Sequence, residues 1–173
     1  MGKRKRASGK PGKQVAALAL ARDVTGALRV LTMTSRETRR FILPKGWPVK
    51  GLEDHRAAEI EAREEAGLVG RAHRKPIGSY LAWKRLKNGF LLVKVKVFLF
   101  DVERHLDDWK EKGQRSIAWL SPEDAATLID EPGLAEIVLN IATRLPRSWR
   151  VRAAATSSVP DAIAGHPVIN AGA

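Results

Sequence analysis

The longest apolar run opens the chain: from residue 15 to 21 every position is Val, Ala or Leu, and a second run covers 27–34 after the turn signal Asp23-Val-Thr-Gly26. Apolar runs of this length bounded by turn residues predict strands, so residues 14–22 and 27–34 read as an opening hairpin. Residues 40–43 (Arg-Phe-Ile-Leu) predict a short strand stopped by Pro44, and residues 45–48 continue as loop. Glu53 and Asp54 then suit the first turn of a helix, which Gly67 is placed to end. Beyond it, residues 77–84 and 90–102 predict two strands about the turn Lys87-Asn-Gly89. The second alternates, with Val93, Val95, Val97 and Leu99 on one face and Lys94, Lys96, Phe98 and Phe100 on the other. Its two lysines either face solvent or line an anion cleft. A strand over 115–120, a helix begun by Ser121 as cap and Pro122 at its first position, and an amphipathic helix over 134–145 complete the order. Strands, a helix, strands and helices predict an α+β layered domain.

Composition adjusts this picture at the ends. A chain of 173 residues holds one ordinary domain with a sizeable core and tails. Of the net charge of +12, residues 1–13 carry +6 and residues 146–173 carry +2, which leaves +4 on the body. The reading is therefore a basic, disordered arm over 1–13, a domain over 14–145 and a flexible tail over 146–173. In the arm, Lys3, Arg4, Lys5 and Arg6 offer weak contact to nucleic acid, against the alternative of a solvated tail. The same basic cluster followed by the apolar run resembles a secretory signal, but that run also reads as the first core strand. No stretch reaches the ~20 apolar residues of a membrane span, which predicts no membrane partner. The absence of cysteine excludes disulfides and thiolate chemistry and suits a cytoplasmic location. Nothing in the sequence fixes the oligomeric state.

The chemistry concentrates in the helix after the glycine-punctuated loop. Glu61, Glu64 and Glu65 share one face, where like charges destabilise a bare helix by roughly 0.2–0.5 kcal/mol per pair. A divalent cation converts that repulsion into binding, and magnesium is commonly held by one or two carboxylates together with substrate phosphates. The alternative is a solvated acidic face. Gly46, Glu61, Glu64, Glu65, Gly67 and Leu68 match in register the box G-x5-E-x7-R-E-U-x-E-E-x-G-U, and on these residues the chain resembles the Nudix family. Ala62 stands as a small first U. Leu52 replaces the first glutamate and Ile60 the arginine, while Glu53 lies one position late for the former. Leu43-Pro-Lys-Gly46, and Trp109-Lys-Glu-Lys-Gly-Gln-Arg115 followed by Trp119, resemble the branch that hydrolyses diadenosine and diphosphoinositol polyphosphates.

The resemblance implies a mixed β-sheet sandwiched between α-helices. It also implies divalent-metal-dependent cleavage of a phosphoanhydride by water, in a dinucleoside polyphosphate, a diphosphoinositol polyphosphate or a related nucleoside diphosphate derivative. It carries metal binding to Glu61, Glu64 and Glu65, catalysis to Glu64 and Glu61, and Mg2+ as cofactor with Mn2+ as the alternative. Arg36, Lys45 and Lys50 are the favoured substrate-binding cations, with Gly46 letting backbone N–H groups approach phosphate. Glu111 is a further candidate ligand or base, and Trp47 a candidate stacking surface. The histidines at 55, 73, 105 and 166 receive no role. Two other readings stand beside the hydrolase. One is a catalytically weak module that senses a nucleotide or phosphorylated ligand, motivated by Leu52 and Ile60, and the other is an RNA-associated protein acting through the basic arm.

Overall fold

The computed structural model describes residues 10–146 and Trp149. Its centre is β1 (Gly12–Arg22), which pairs in parallel with β7 (Gly89–His105) on one side and antiparallel with β2 (Leu28–Thr34) and β4 (Lys45–Gly46) on the other. A strand covered on both faces gains from being apolar throughout, and this is why residues 15–21 lack alternation. The run that resembles a signal segment is thus the middle of the sheet. β3 (Phe41–Ile42) and β8 (Ile117–Leu120) pair with β2, and β5 (Leu68–Ala72) and β6 (Gly78–Leu86) pair with successive lengths of β7, giving eight strands among the described residues.

Helices cover both faces, as expected. The helix α1 (Asp54–Ala66) packs Ala57, Ala58, Ala62 and Ala66 against Val15, Ala17, Leu31, Phe98, Phe100 and Trp119. Alanines at 58, 62 and 66 form an i, i+4 row that lets the helix backbone come close to the sheet. On the opposite face, α2 (Pro122–Leu128), α3 (Pro132–Leu139) and α4 (Ile141–Arg144) cover Ala16, Leu18, Val93, Val95, Val97 and Leu99. The alternation along β7 is therefore real: Val93, Val95, Val97 and Leu99 serve one core, and Phe98 and Phe100 the other. Lys94 and Lys96 remain exposed, and Lys96 Nζ pairs with Asp54 Oδ2 at 2.7 Å.

Several boundaries differ from the sequence reading. β1 starts at Gly12 because Gly12 and Lys13 already pair with Val93 and Lys94, which shortens the expected arm. Lys3, Arg4, Lys5 and Arg6 lie outside the described residues. Residues 45 and 46, expected as loop, form β4 by pairing with Ala16 and Val15. β5 was not predicted; its Gly70 and Arg71 hide a strand that carries a bulge at Val69/Gly70. A side chain at Gly70 is excluded, since a Cβ there would stand 2.0 Å from the Asp101 carbonyl oxygen. The last helix is two helices, broken at Asn140, whose side-chain Nδ2 donates to the Glu136 carbonyl in competition with the backbone ladder. Finally, Trp149 is buried in the core cluster that includes Leu134, Ile137, Val138 and Ile141, so core packing passes the expected boundary at 146. The rest of that tail lies outside the described residues.

Candidate active site

The sheet and α1 place the acidic residues by periodicity. Ala57, Glu61 and Glu65 form an i, i+4 row adjoining the buried Ala58, Ala62 and Ala66, so Glu61 and Glu65 sit at the edge of a closely packed interface. Glu64 falls further round the helix and is partly exposed. The space for Glu61 comes from β4: a Cβ on Gly46 would lie 2.0 Å from Glu61 Oε1 and 2.3 Å from its carboxyl carbon. Glycine is required there for close approach, because no larger residue leaves room for the carboxylate.

Each carboxylate has a different environment. Glu65 is buried, with Oε2 accepting a hydrogen bond from the Lys45 backbone N–H at 2.9 Å and Oε1 accepting from Arg115 Nη2. Burial raises its pKa, opposed by the Lys45 amide and the Arg115 guanidinium. Glu64 Oε2 accepts from Lys110 Nζ at 2.6 Å. Glu61 has no hydrogen bond or ion pair among the described residues. Burial first, and then the charges of Glu65, Glu64 and Glu111, lift its pKa to about 7. Glu61 is thus a desolvated carboxylate beside three other acids.

The segment between β7 and β8 closes over the end of α1. Glu111 N donates to the Glu64 carbonyl at 3.1 Å, Leu106 N to the Gly67 carbonyl at 2.8 Å, and the Trp109 ring lies against Gly67. Gly67 caps α1 in the left-handed conformation (φ 67°), with its N–H directed to the Ala62 and Arg63 carbonyls. The latch presents Lys110 to Glu64 and brings Glu111 and Arg115 beside Glu65. It also forms one wall of a cleft of about 450 Å³ lined by Ile60, Arg63, Glu64, Leu106, Asp108, Trp109 and Lys110.

The remaining predicted residues divide. Arg36 reaches the cluster, with Nη1 3.6 Å from Glu111 Oε1. Lys45 joins it through its backbone N–H; its residue pairs with Ala16, whose side chain belongs to the core on the other face. Burial and the charge of Lys84 lower the Lys45 pKa. Lys50 is exposed and makes no hydrogen bond or ion pair with the described residues. Glu53 does not replace the glutamate missing at Leu52, because it accepts from Arg74 Nη2 at 2.9 Å on the exposed start of α1. Among the described residues, no three His, Cys, Asp or Glu side chains converge as a ready-made ion site. Lys110 holds Glu64, while Arg115 and the Lys45 amide hold Glu65. Sequence reasoning also missed Arg115 and Lys110 as partners of the helix carboxylates. Their signal was present in the segment 109–115, but a contact spanning 50 residues has no local periodicity to reveal it.

Residues 61 and 65 nevertheless suit a hard divalent cation. They supply oxygen donors at the edge of a glycine-cleared space, and Glu61 is desolvated beside the charges of Glu65, Glu64 and Glu111. Two carboxylates suffice where substrate phosphate and water complete the shell.

No family model matches the chain. Nudix hydrolase 12, mitochondrial, of Arabidopsis thaliana is 32% identical over 117 residues, covering 61% of this chain and 54% of that protein. The chain thus spans about half the length of this curated relative. Among solved structures, an Ap4A hydrolase of C. elegans superposes with a TM-score of 0.59 at 19% identity, over 79% of this chain and 100% of that one. A NUDIX hydrolase from Nitrosomonas europaea gives 0.59 at 20% identity, over 81% and 95%. These two likenesses establish the fold. The sequence relative, and the box residues standing in register where loop meets helix, make the chain similar to Nudix hydrolases over that span.

Proposed function

We propose that the chain is a divalent-metal-dependent pyrophosphohydrolase that cleaves a phosphoanhydride by attack of water. The observation that carries this reading is the Glu61 carboxylate, seated against Gly46 with no hydrogen bond or ion pair among the described residues and lifted to a pKa of about 7 by burial and then by its acidic neighbours. Glu61 and Glu65 hold the cation, Mg2+ or Mn2+, which when bound neutralises phosphate charge and lowers the pKa of water. Glu64 accepts the proton from the attacking water after Lys110 exchanges the carboxylate for a substrate phosphate. Arg36 and Lys110 supply mobile positive charge at the mouth, and Lys50 extends it along the approach. Phosphoryl transfer depends chiefly on positioning and charge stabilisation, so no covalent protein nucleophile is needed.

The substrate class we favour is a dinucleoside polyphosphate, a diphosphoinositol polyphosphate or a related nucleoside diphosphate derivative. The cationic entrance and the segment ending in Arg115 support it. No described helix is long and apolar enough to cross a membrane. A cytoplasmic location is the one we favour, on a chain free of cysteine.

A second reading, a phosphate-ligand sensor with weak turnover, is favoured by Ile60 and by the engagement of Glu64 with Lys110. A substrate panel separates the two. Phosphate release from diadenosine polyphosphates and inositol pyrophosphates is measured during Mg2+ and Mn2+ titrations, for the natural chain and for Glu64→Gln and Glu65→Gln. The hydrolase reading expects metal-dependent turnover that falls at least ~100-fold in either variant. Binding without metal-dependent turnover on any member of the panel would establish the sensor instead.

A further inference from the structure

The helix that carries the glutamates provides them with no cation. Arg56 is committed to Glu59, with Nη1 2.9 Å from Oε2; Arg63 is exposed; and position 60 is isoleucine. The cation arrives from the opposite side of the sequence. Arg115 is almost fully buried, its side chain 6% exposed, and its donors reach three acceptors: Nη2 to Glu65 Oε1, Nε to Glu111 Oε2 at 2.9 Å, and Nη1 to the Thr34 carbonyl at 3.3 Å. Glu65 Oε2 is held separately by the Lys45 N–H.

We infer that Arg115 is the positioning residue of the site: its guanidinium fixes Glu65 and Glu111 in one arrangement and thereby orients Glu65 toward the cation shared with Glu61. The inference rests on the proposed metal-dependent reading and deepens it. Two features exclude a role limited to general attraction of anionic substrate. Burial keeps Arg115 from the solvent route by which a polyphosphate arrives, and its planar fork is divided between two carboxylates and a carbonyl. With both carboxylate oxygens held, by Arg115 on one side and an amide on the other, Glu65 loses rotational freedom before any ligand binds. Such prior ordering lowers the entropic cost of assembling the reactive geometry. The fork also explains why lysine is a poor substitute: one ammonium cannot reproduce donors directed to three separate acceptors.

The test uses the full chain and two independent readouts. The first is Mn2+ binding to the free protein, followed by the electron paramagnetic resonance signal of unbound Mn2+. Arg115→Ala is expected to weaken binding about 10-fold and Arg115→Lys by less. If Arg115 acted only as a neighbouring positive charge, its removal would tighten binding, so unchanged or tighter Mn2+ affinity overturns the inference. The second readout is a double-mutant cycle in kcat. Acting through Glu65, Arg115→Ala should lose ~100-fold alone, with KM changed less than about 3-fold, yet add less than about 3-fold in the Glu65→Gln background. Full additivity, or a loss confined to KM, assigns Arg115 to substrate contact and overturns the proposal. Should Arg115→Ala not fold, the cycle is run with Arg115→Lys and judged by the same criterion. Absence of Mn2+ binding in the natural chain would sink the metal-dependent reading itself, a result distinguishable from failure of the variants.

Discussion

Gly46 and Glu61 occupy adjoining space across β4 and α1, so close that a single added methyl on residue 46 would fall 2.0 Å from the glutamate Oε1. The conflict involves the movable end of a side chain, and a Gly46→Ala chain is expected to fold with Glu61 displaced. kcat should drop by roughly 100-fold, the scale of about 1 Å misplacement, while urea unfolding shifts by less than about 1.5 kcal/mol. Steady-state kinetics and equilibrium unfolding check both halves, and an unchanged kcat would remove Glu61 from the proposed site.

Burial and three acidic neighbours raise Glu61 from its ordinary 4.5 to about 7, and burial raises Glu65 in the same direction. Between those two pH values the folded chain binds more protons at Glu61 than the unfolded chain does. Stability from this group is therefore constant below about pH 4.5, declines as pH rises toward about 7, and is constant above it. Glu61→Gln should raise the melting temperature at pH ~8 and leave it nearly unaltered at pH ~4.5. Calorimetry at the two pH values supplies the comparison.

Metal addition should reverse that loss. Mg2+ binding to the folded chain alone stabilises it by about 2.7 kcal/mol at 100 times the dissociation constant. Because the carboxylate must be deprotonated to bind, the rise in melting temperature should be larger at pH ~8 than at pH ~5.5. Chelation with EDTA should abolish it, and Glu61→Gln or Glu65→Gln should diminish it. A melting temperature indifferent to Mg2+ and Mn2+ in the natural chain counts against a resident cation.

Gly67 combines a left-handed backbone with direct contact to an aromatic ring: a Cβ there would meet Trp109 at 2.6 Å. Gly67→Ala is expected to cost at least about 2 kcal/mol, from the backbone conformation together with overpacking. It should also loosen the latch that carries Lys110, Glu111 and Arg115, lowering kcat. Urea unfolding gives the first quantity, and hydrogen exchange at the Glu111 amide, bonded to the Glu64 carbonyl, reports the second.

Local pattern determined a large part of this protein. The apolar run at 15–21, the alternation from Val93 to Phe100, the Ser121–Pro122 helix start and Gly67 at the end of α1 all depend on contacts repeated every two or four residues, or on one backbone conformation. The spacing that sets Glu61 and Glu65 on one row of α1 belongs to the same class. β5 and the break at Asn140 were hidden because a bulged strand and a side-chain amide bond interrupt periodicity. Only tertiary structure decided which groups meet the carboxylates: the Lys45 amide for Glu65, Lys110 for Glu64, Arg115 for both Glu65 and Glu111, and no ion-pairing or hydrogen-bonding group for Glu61 among the described residues. The physical reason is separation along the chain. A residue's own neighbours fix its direction on a helix or strand, whereas the charge it faces depends on how remote segments close over it.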